Sequence, residues 1–254
     1  MGLWTWEHAY TLLPAVAVMI LAAAFLRRRL KNKEEKYRLL PLRIIAVLLV
    51  ALELGKQGVH LAQGYDLYAL PFHICSLALF MIPVMAFYRG KYVYAVRSIT
   101  TAICTAISLL LLIYPSLIYS ADNVRNFFHS FLDFHTVAFH NLVIFAFLLI
   151  LALDLHCPRG KGDAKALILF HVGFCAVSAT MATVLKTNYA NFYECNIPVF
   201  ESIREGLQPV LGYWPTQLIY IAILSALTVA FMLLSWQVCR LARRLLYGKV
   251  SAAQ

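Results

Sequence analysis

Charge is what this sequence lacks most. Of its 254 residues only 12 are acidic and 22 basic, so charged side chains amount to 13% against 62% hydrophobic. A soluble surface of that size cannot be covered with so few charges, and the mean hydropathy of +0.74 leaves lipid as the surrounding medium. There is also no CxxC pair, no glycine-rich phosphate loop, no Asn-x-Ser/Thr sequon and no pair of histidines four residues apart. These gaps exclude a sequence-local metal centre and a nucleotide fingerprint, so no metal and no cofactor is expected. The missing sequon is compatible with a bacterial plasma membrane. No internal repeat is visible, which argues against an inverted-repeat transporter.

The net charge of +10 is carried by basic groups that fall between apolar runs. Arg27, Arg28, Arg29, Lys31, Lys33, Lys36 and Arg38 form one group with Arg43 beyond it; others are Arg89–Lys91–Arg97, Arg159–Lys161–Lys165 and Arg240–Arg243–Arg244–Lys249. Together they trace the positive-inside pattern of a multi-pass membrane protein, with nothing left over for a nucleic-acid face. Of the six cysteines, Cys75, Cys104, Cys157, Cys175, Cys195 and Cys239, only Cys75 and Cys195 fall near the outer surface, where a bridge is conceivable.

A membrane-crossing helix needs about 20 mostly apolar residues. Runs of that kind cover residues 10–26, 41–60, 71–87, 98–114, 136–155, 166–186 and 215–236, with 237–254 as a cytoplasmic tail. The expected fold is an all-α integral membrane protein: one seven-transmembrane helix bundle over 1–254, N-terminus outside and C-terminus in the cytoplasm. The first run does not read as a signal peptide, because its basic cluster follows the apolar stretch. Trp4, Trp6, Tyr213 and Trp214 then fall at the outer headgroup level.

Ionisable groups inside a span cost about 2.5–3.5 kcal/mol each at the bilayer centre, so each needs a reason. Glu53, Lys56 and His60 lie at i, i+3 and i+7, on one face of the second run. Glu53 sits roughly 18 Å along that helix, in the outer half of the bilayer. It is either a Glu53–Lys56 pair that helps packing or a carboxylate facing a polar cavity with Lys56 and His60 nearer its mouth. His73 enters at the outer start of the third run, where Pro71 suits a first helical turn. On a regular helix Ser76 shares the face of His73 and Cys75 does not. His140 lies about one turn inside the fifth run, whereas His129 and His135 read as interface or loop residues. Asn188 and Tyr189 close the sixth run on the outer side, while His171 enters from the cytoplasmic side. Glu53, His73, His140 and Asn188 thus come from four runs and project to one depth, near the glycerol esters of phospholipids.

Glu53, Leu-Pro-Phe-His-Ile-Cys at 70–75, His140, Asn188-Tyr189 and Leu-Gly-Tyr-Trp-Pro at 211–215 resemble the YwaF family of bacterial integral membrane proteins. That family is similar to the eukaryotic transmembrane protein 164 family, lipid acyltransferases that use a cysteine beside the third-span histidine. The resemblance implies acyl transfer between glycerolipids, with membrane lipids as substrate. This sequence departs from the eukaryotic pattern, because Phe72 stands in the place of that cysteine. Either Cys75 serves as nucleophile from an irregular helix start, or His73 and His140 activate a hydroxyl directly as base and acid. A third alternative is that the bacterial branch keeps the scaffold with a changed or lost reaction. The expected catalytic set is His73, His140, Glu53, Asn188 and Cys75. Glu53 would orient one histidine and Asn188 would donate to an oxyanion. Lys56, His60, Ser76 and Tyr189 are the expected substrate contacts. The rival readings are a proton-coupled transporter and a non-catalytic membrane sensor or scaffold.

Overall fold

The computed structural model describes residues 3–156, 161–194 and 198–248. Among them all regular structure is helical: α1 (Trp6–Leu30), α2 (Glu35–Arg38), α3 (Leu40–Gln63), α4 (Leu77–Phe87), α5 (Val93–Ile113), α6 (Ala121–Arg125), α7 (Phe131–Ala152), α8 (Lys161–Leu185), α9 (Pro198–Leu211) and α10 (Tyr213–Tyr247). Five of these, α1, α5, α7, α8 and α10, are long and apolar enough to cross a membrane. The segment Ile74–Phe87 is apolar but shorter.

Solvent explains which faces are turned outward. Val18, Leu21, Leu54, Val184, Leu218 and Leu234 are all exposed, at 64%, 70%, 67%, 67%, 65% and 58%, as lipid-facing residues are where water gives no reason to hide them. Polar and small residues are instead turned inward on α5, the central helix, where Ser98, Thr101, Ala102, Thr105 and Ala106 are at most 1% exposed. Small residues let neighbouring helices approach closely. Two of the threonines bond back to their own helix: Thr105 Oγ1 donates to the Thr101 carbonyl at 2.7 Å and Thr100 Oγ1 to Val96 at 2.8 Å. Thr180 and Thr183 back-bond in the same way, to Ala176 and Ala179.

Two polar ends bound the bundle. At one, Arg43 Nε donates to the Ala86 carbonyl and Arg38 Nη1 to Leu153, so the end of α2 and the start of α3 meet the ends of α4 and α7. Arg243 holds both carboxylate oxygens of Asp154, at 2.6 and 3.1 Å. Asp154 adopts φ 49° just beyond α7, and Arg243 is 8% exposed. Removing the carboxylate strips a nearly buried guanidinium of both bonds, so Asp154→Ala is expected to destabilise by about 2 kcal/mol, read as a lower Tm in detergent. At the opposite end α1 is pinned by Glu7 to Arg125 and by His8 Nε2 to the Tyr119 carbonyl at 3.0 Å.

Several boundaries differ from the sequence expectation for identifiable reasons. α7 starts a turn and a half before residue 136 because Ser130 caps it, accepting from Asp133 N, and His135 is therefore a buried helix residue rather than a loop one. α10 runs on to Tyr247, through most of the expected tail. There Tyr247 donates to the Leu151 and Ala152 carbonyls and lies under Arg27. The outer segment after α8 contains α9. The third run does not begin as a helix at Pro71: His73 is extended (φ −81°, ψ 153°), a 3-10 turn covers Ile74–Ser76, and α4 begins only at Leu77. Cys157 and Cys195 lie outside the described residues, so the conceivable Cys75–Cys195 bridge does too; Cys75, Cys104, Cys175 and Cys239 are free.

Candidate functional site

The unusual start of α4 shapes the site. Leu67–Ala69 forms a 3-10 turn capped by Asp66, whose side chain accepts from Tyr68 N. The chain then returns extended through His73, whose Nε2 donates to the Tyr68 carbonyl at 3.2 Å. Phe72 turns inward against the buried Tyr189, with ring centroids 5.3 Å apart, and Ser178 Oγ holds the Phe72 carbonyl at 2.8 Å. Tyr189 in turn donates to the Leu67 carbonyl. These contacts fix the re-entrant stretch against α8 and the 3-10 turn Tyr189–Asn191.

Above this stretch lies a cavity of about 590 Å³. Glu53, Lys56, His60, His73, Cys75, Ser76, His140 and Asn188 all line it. Eight expected site residues from α3, α7, the re-entrant stretch and the end of α8 are thus brought together. Tyr189 is the exception, packed behind His73 at 5.5 Å between centroids. The expectation that Cys75 faces away from His73 is overturned, because the 3-10 turn changes the angular spacing that a regular helix would impose. The cavity reaches the surface beside Asp66 and Tyr68, both exposed. Its inner wall is apolar: Ile107 and Leu110 of α5, with Leu224, Leu227, Phe231 and Met232 of α10.

Electrostatics at the polar wall centre on Glu53. Its Oε1 accepts from Lys56 Nζ at 2.8 Å and from Gln57 Nε2 at 2.7 Å. Oε2 lies 3.4 Å from His135 Nε2. The carboxylate therefore pairs with Lys56 and His135, and the expected contact with His73 or His140 is not made. Gln57 also donates to the Ala69 carbonyl at 3.0 Å and accepts from Tyr65, tying this charge cluster to the mouth of the cavity. His135, read from sequence as an interface residue, lines the cavity and is 7% exposed. The available signal was energetic: a carboxylate within an apolar run needs partners for both oxygens, and one Lys leaves an oxygen over.

Both expected proton carriers have one nitrogen committed. His140 Nδ1 meets the Thr136 carbonyl at 2.7 Å, which places the proton on Nδ1 and leaves Nε2 as a lone-pair acceptor. That Nε2 is buried with no partner among the described residues. In His73 the roles are reversed, with Nε2–H spent on Tyr68 and Nδ1 left as the acceptor. Asn188 Oδ1 accepts from Glu194 N at 3.2 Å, so its amino group is the end left for a bound group. Such an arrangement can take a proton, return it and donate to a developing oxyanion. His171 lies elsewhere, fully buried and bonded to the Leu167 carbonyl. Among the described residues no group of His, Cys, Asp and Glu is arranged to hold a metal.

No curated protein and no solved structure matches the chain. The profile of the TMEM164 family matches residues 3–236, which takes in every element that lines the cavity. The chain belongs to the TMEM164 family.

Proposed function

We propose that this protein is a multi-pass membrane acyltransferase that moves a fatty acyl group between glycerolipids. The observation that carries the reading is the cavity itself. One wall holds two histidines with assigned tautomers, a thiol and a free amide donor, and the other is an apolar trough fit for an acyl chain. Pockets that orient a mostly apolar ligand with a few polar groups have this composition.

In the proposed topology α3 and the short α4 cross with the five longer helices, giving seven passages. The arginine-rich end faces the cytoplasm and the N-terminus lies outside. The cavity mouth then opens in the outer third of the bilayer, at the depth of glycerol ester carbonyls. The exposed Trp6 and Trp214, at 84% and 62%, support this placement as headgroup anchors.

The chemistry assigned to the residues is a two-step exchange. The Cys75 thiol gives its proton to His140 Nε2, and the thiolate attacks the ester carbonyl. The tetrahedral oxyanion, held by the Asn188 amide, collapses to a Cys75 thioester. The departing glycerolipid alkoxide takes the proton back. A hydroxyl of a second lysolipid then attacks the thioester while the same base accepts its proton, and the thiolate is released. Glu53 holds His135 and Lys56 in the polar wall and keeps it charge-balanced. Reconstitution into liposomes of two phospholipids with chains of different mass tests this: wild type is expected to generate mixed-chain species. Absence of exchange, together with solute flux abolished by Glu53→Gln, would assign the polar wall to transport instead.

A further inference from the structure

The opposite end of the bundle carries buried nitrogens that no described residue answers. His156, just beyond α7, is 2% exposed, and neither ring nitrogen has a hydrogen-bond partner among the described residues. At the same end the Nε atoms of Arg38, Arg97 and Arg240 are also buried and without a partner among the described residues, as is Trp236 Nε1. The remaining bonds of these side chains are few. Arg38 Nη1 donates to the Leu153 carbonyl at 3.1 Å, Arg97 Nη2 to Glu35 at 2.6 Å, and Arg240 Nη1 to Gln237 at 3.0 Å. Arg240 also stacks on Trp236, 4.7 Å above the ring.

The cluster is one electrostatic unit. Burial first, and then the charges of Arg243, Arg97 and Arg240, push the His156 imidazole down to about 3. Carboxylates at this end are already engaged, Glu35 by Arg97 and Asp154 by Arg243; Asp163, 6% exposed, opens α8. Each buried donor left without an acceptor costs about 1–3 kcal/mol, so this many at one end call for an acceptor beyond the described side chains. A negatively charged ligand with several acceptor oxygens answers the guanidinium, indole and imidazole N–H donors together. Arg38 and Arg240 are only partly buried, so the cluster is reachable by side-chain movement alone.

We propose that Arg38, Arg97, Arg240 and His156 bind an anionic phosphate group at this end of the bundle. In the topology above these guanidinium groups lie at the depth of inner-leaflet headgroups, so an anionic phospholipid is the expected source, with free phosphate as the other. The site shares no residue with the lining of the cavity and does not depend on acyl transfer.

The test is thermal unfolding of the full-length protein in a neutral detergent, in two arms. One compares added phosphatidylglycerol with phosphatidylcholine, whose ammonium the arginines repel; the other compares sodium phosphate with sodium chloride at equal ionic strength. Phosphatidylglycerol is expected to raise Tm by about 5 °C at saturation, and phosphate to do little. A rise with phosphate equal to that with the lipid would place free phosphate in the site. The response must vanish in Arg38→Gln/Arg240→Gln and persist in Arg240→Lys. No rise in either arm, or the same rise in the double variant, would overturn the proposal. Lipid retained through mild ionisation in native mass spectrometry reads the same difference if the double variant is too unstable to melt cleanly.

Discussion

Replacing Glu53 by Leu is expected to cost about 3 kcal/mol, more than any other single change in the polar wall. The substitution leaves Lys56, whose side chain is 16% exposed, and the buried His135 without their shared carboxylate. Breaking a buried pair by removing one partner costs about 3–5 kcal/mol because a charge stays buried and uncompensated. The lower end applies here, since the cavity admits water to one side of the pair. The sign of the double variant is the sharper test. Glu53→Leu/Lys56→Leu removes both charges and is expected to be more stable than Glu53→Leu alone, with Tm in detergent as the readout. If the double variant loses the sum of the two single losses, the pair is not coupled and the reading of this cluster fails.

Cys75→Ala is expected to reduce acyl transfer by at least about 100-fold, and Ser76→Ala to leave it within a few-fold. Both residues line the cavity on the same 3-10 turn, so the pair controls for disturbance of that turn. Intact-mass measurement supplies a second, independent reading: wild type incubated with a phospholipid donor alone gains the mass of one acyl chain, and Cys75→Ala does not. Full activity of Cys75→Ala with no adduct on the wild type would discard the thioester. It would leave His73 and His140 to activate the acceptor hydroxyl directly.

How much of this was legible in advance depends on the scale of the argument. Helical membrane character follows from hydropathy alone, because lipid forces every backbone group to be satisfied within its own segment. That Glu53, His73, His140 and Asn188 fall at one level of their runs was also readable, since position along a helix is counted at about 1.5 Å per residue, and all four line the cavity. Lateral convergence was not, because nothing in one sequence says which helices are neighbours. Two local errors have the same cause, a regular helix assumed where the chain is capped or irregular. Ser130 starts α7 early and brings His135 inside; the extended backbone at His73 starts α4 late and turns Cys75 to the cavity. The carboxylate was identified from its cost, but its partner on another helix was not. A helical continuation to Tyr247 was hidden because its arginines look like a cytoplasmic tail until Arg243 is seen on Asp154 and the Tyr247 hydroxyl on the α7 carbonyls.

The central claim is that the histidine-lined cavity performs acyl transfer, and His140 tests it most directly. His140→Gln keeps a polar side chain of similar reach but has no ring nitrogen to take a proton. The measurement is mass-spectrometric profiling of defined phospholipids in proteoliposomes, wild type against His140→Gln, with Tm of both recorded in parallel. Lyso- and acyl-exchanged species are expected with wild type, and a loss of about 100-fold or more with the variant while Tm changes little. Equal exchange by both proteins, or none by a folded wild type, would contradict the account.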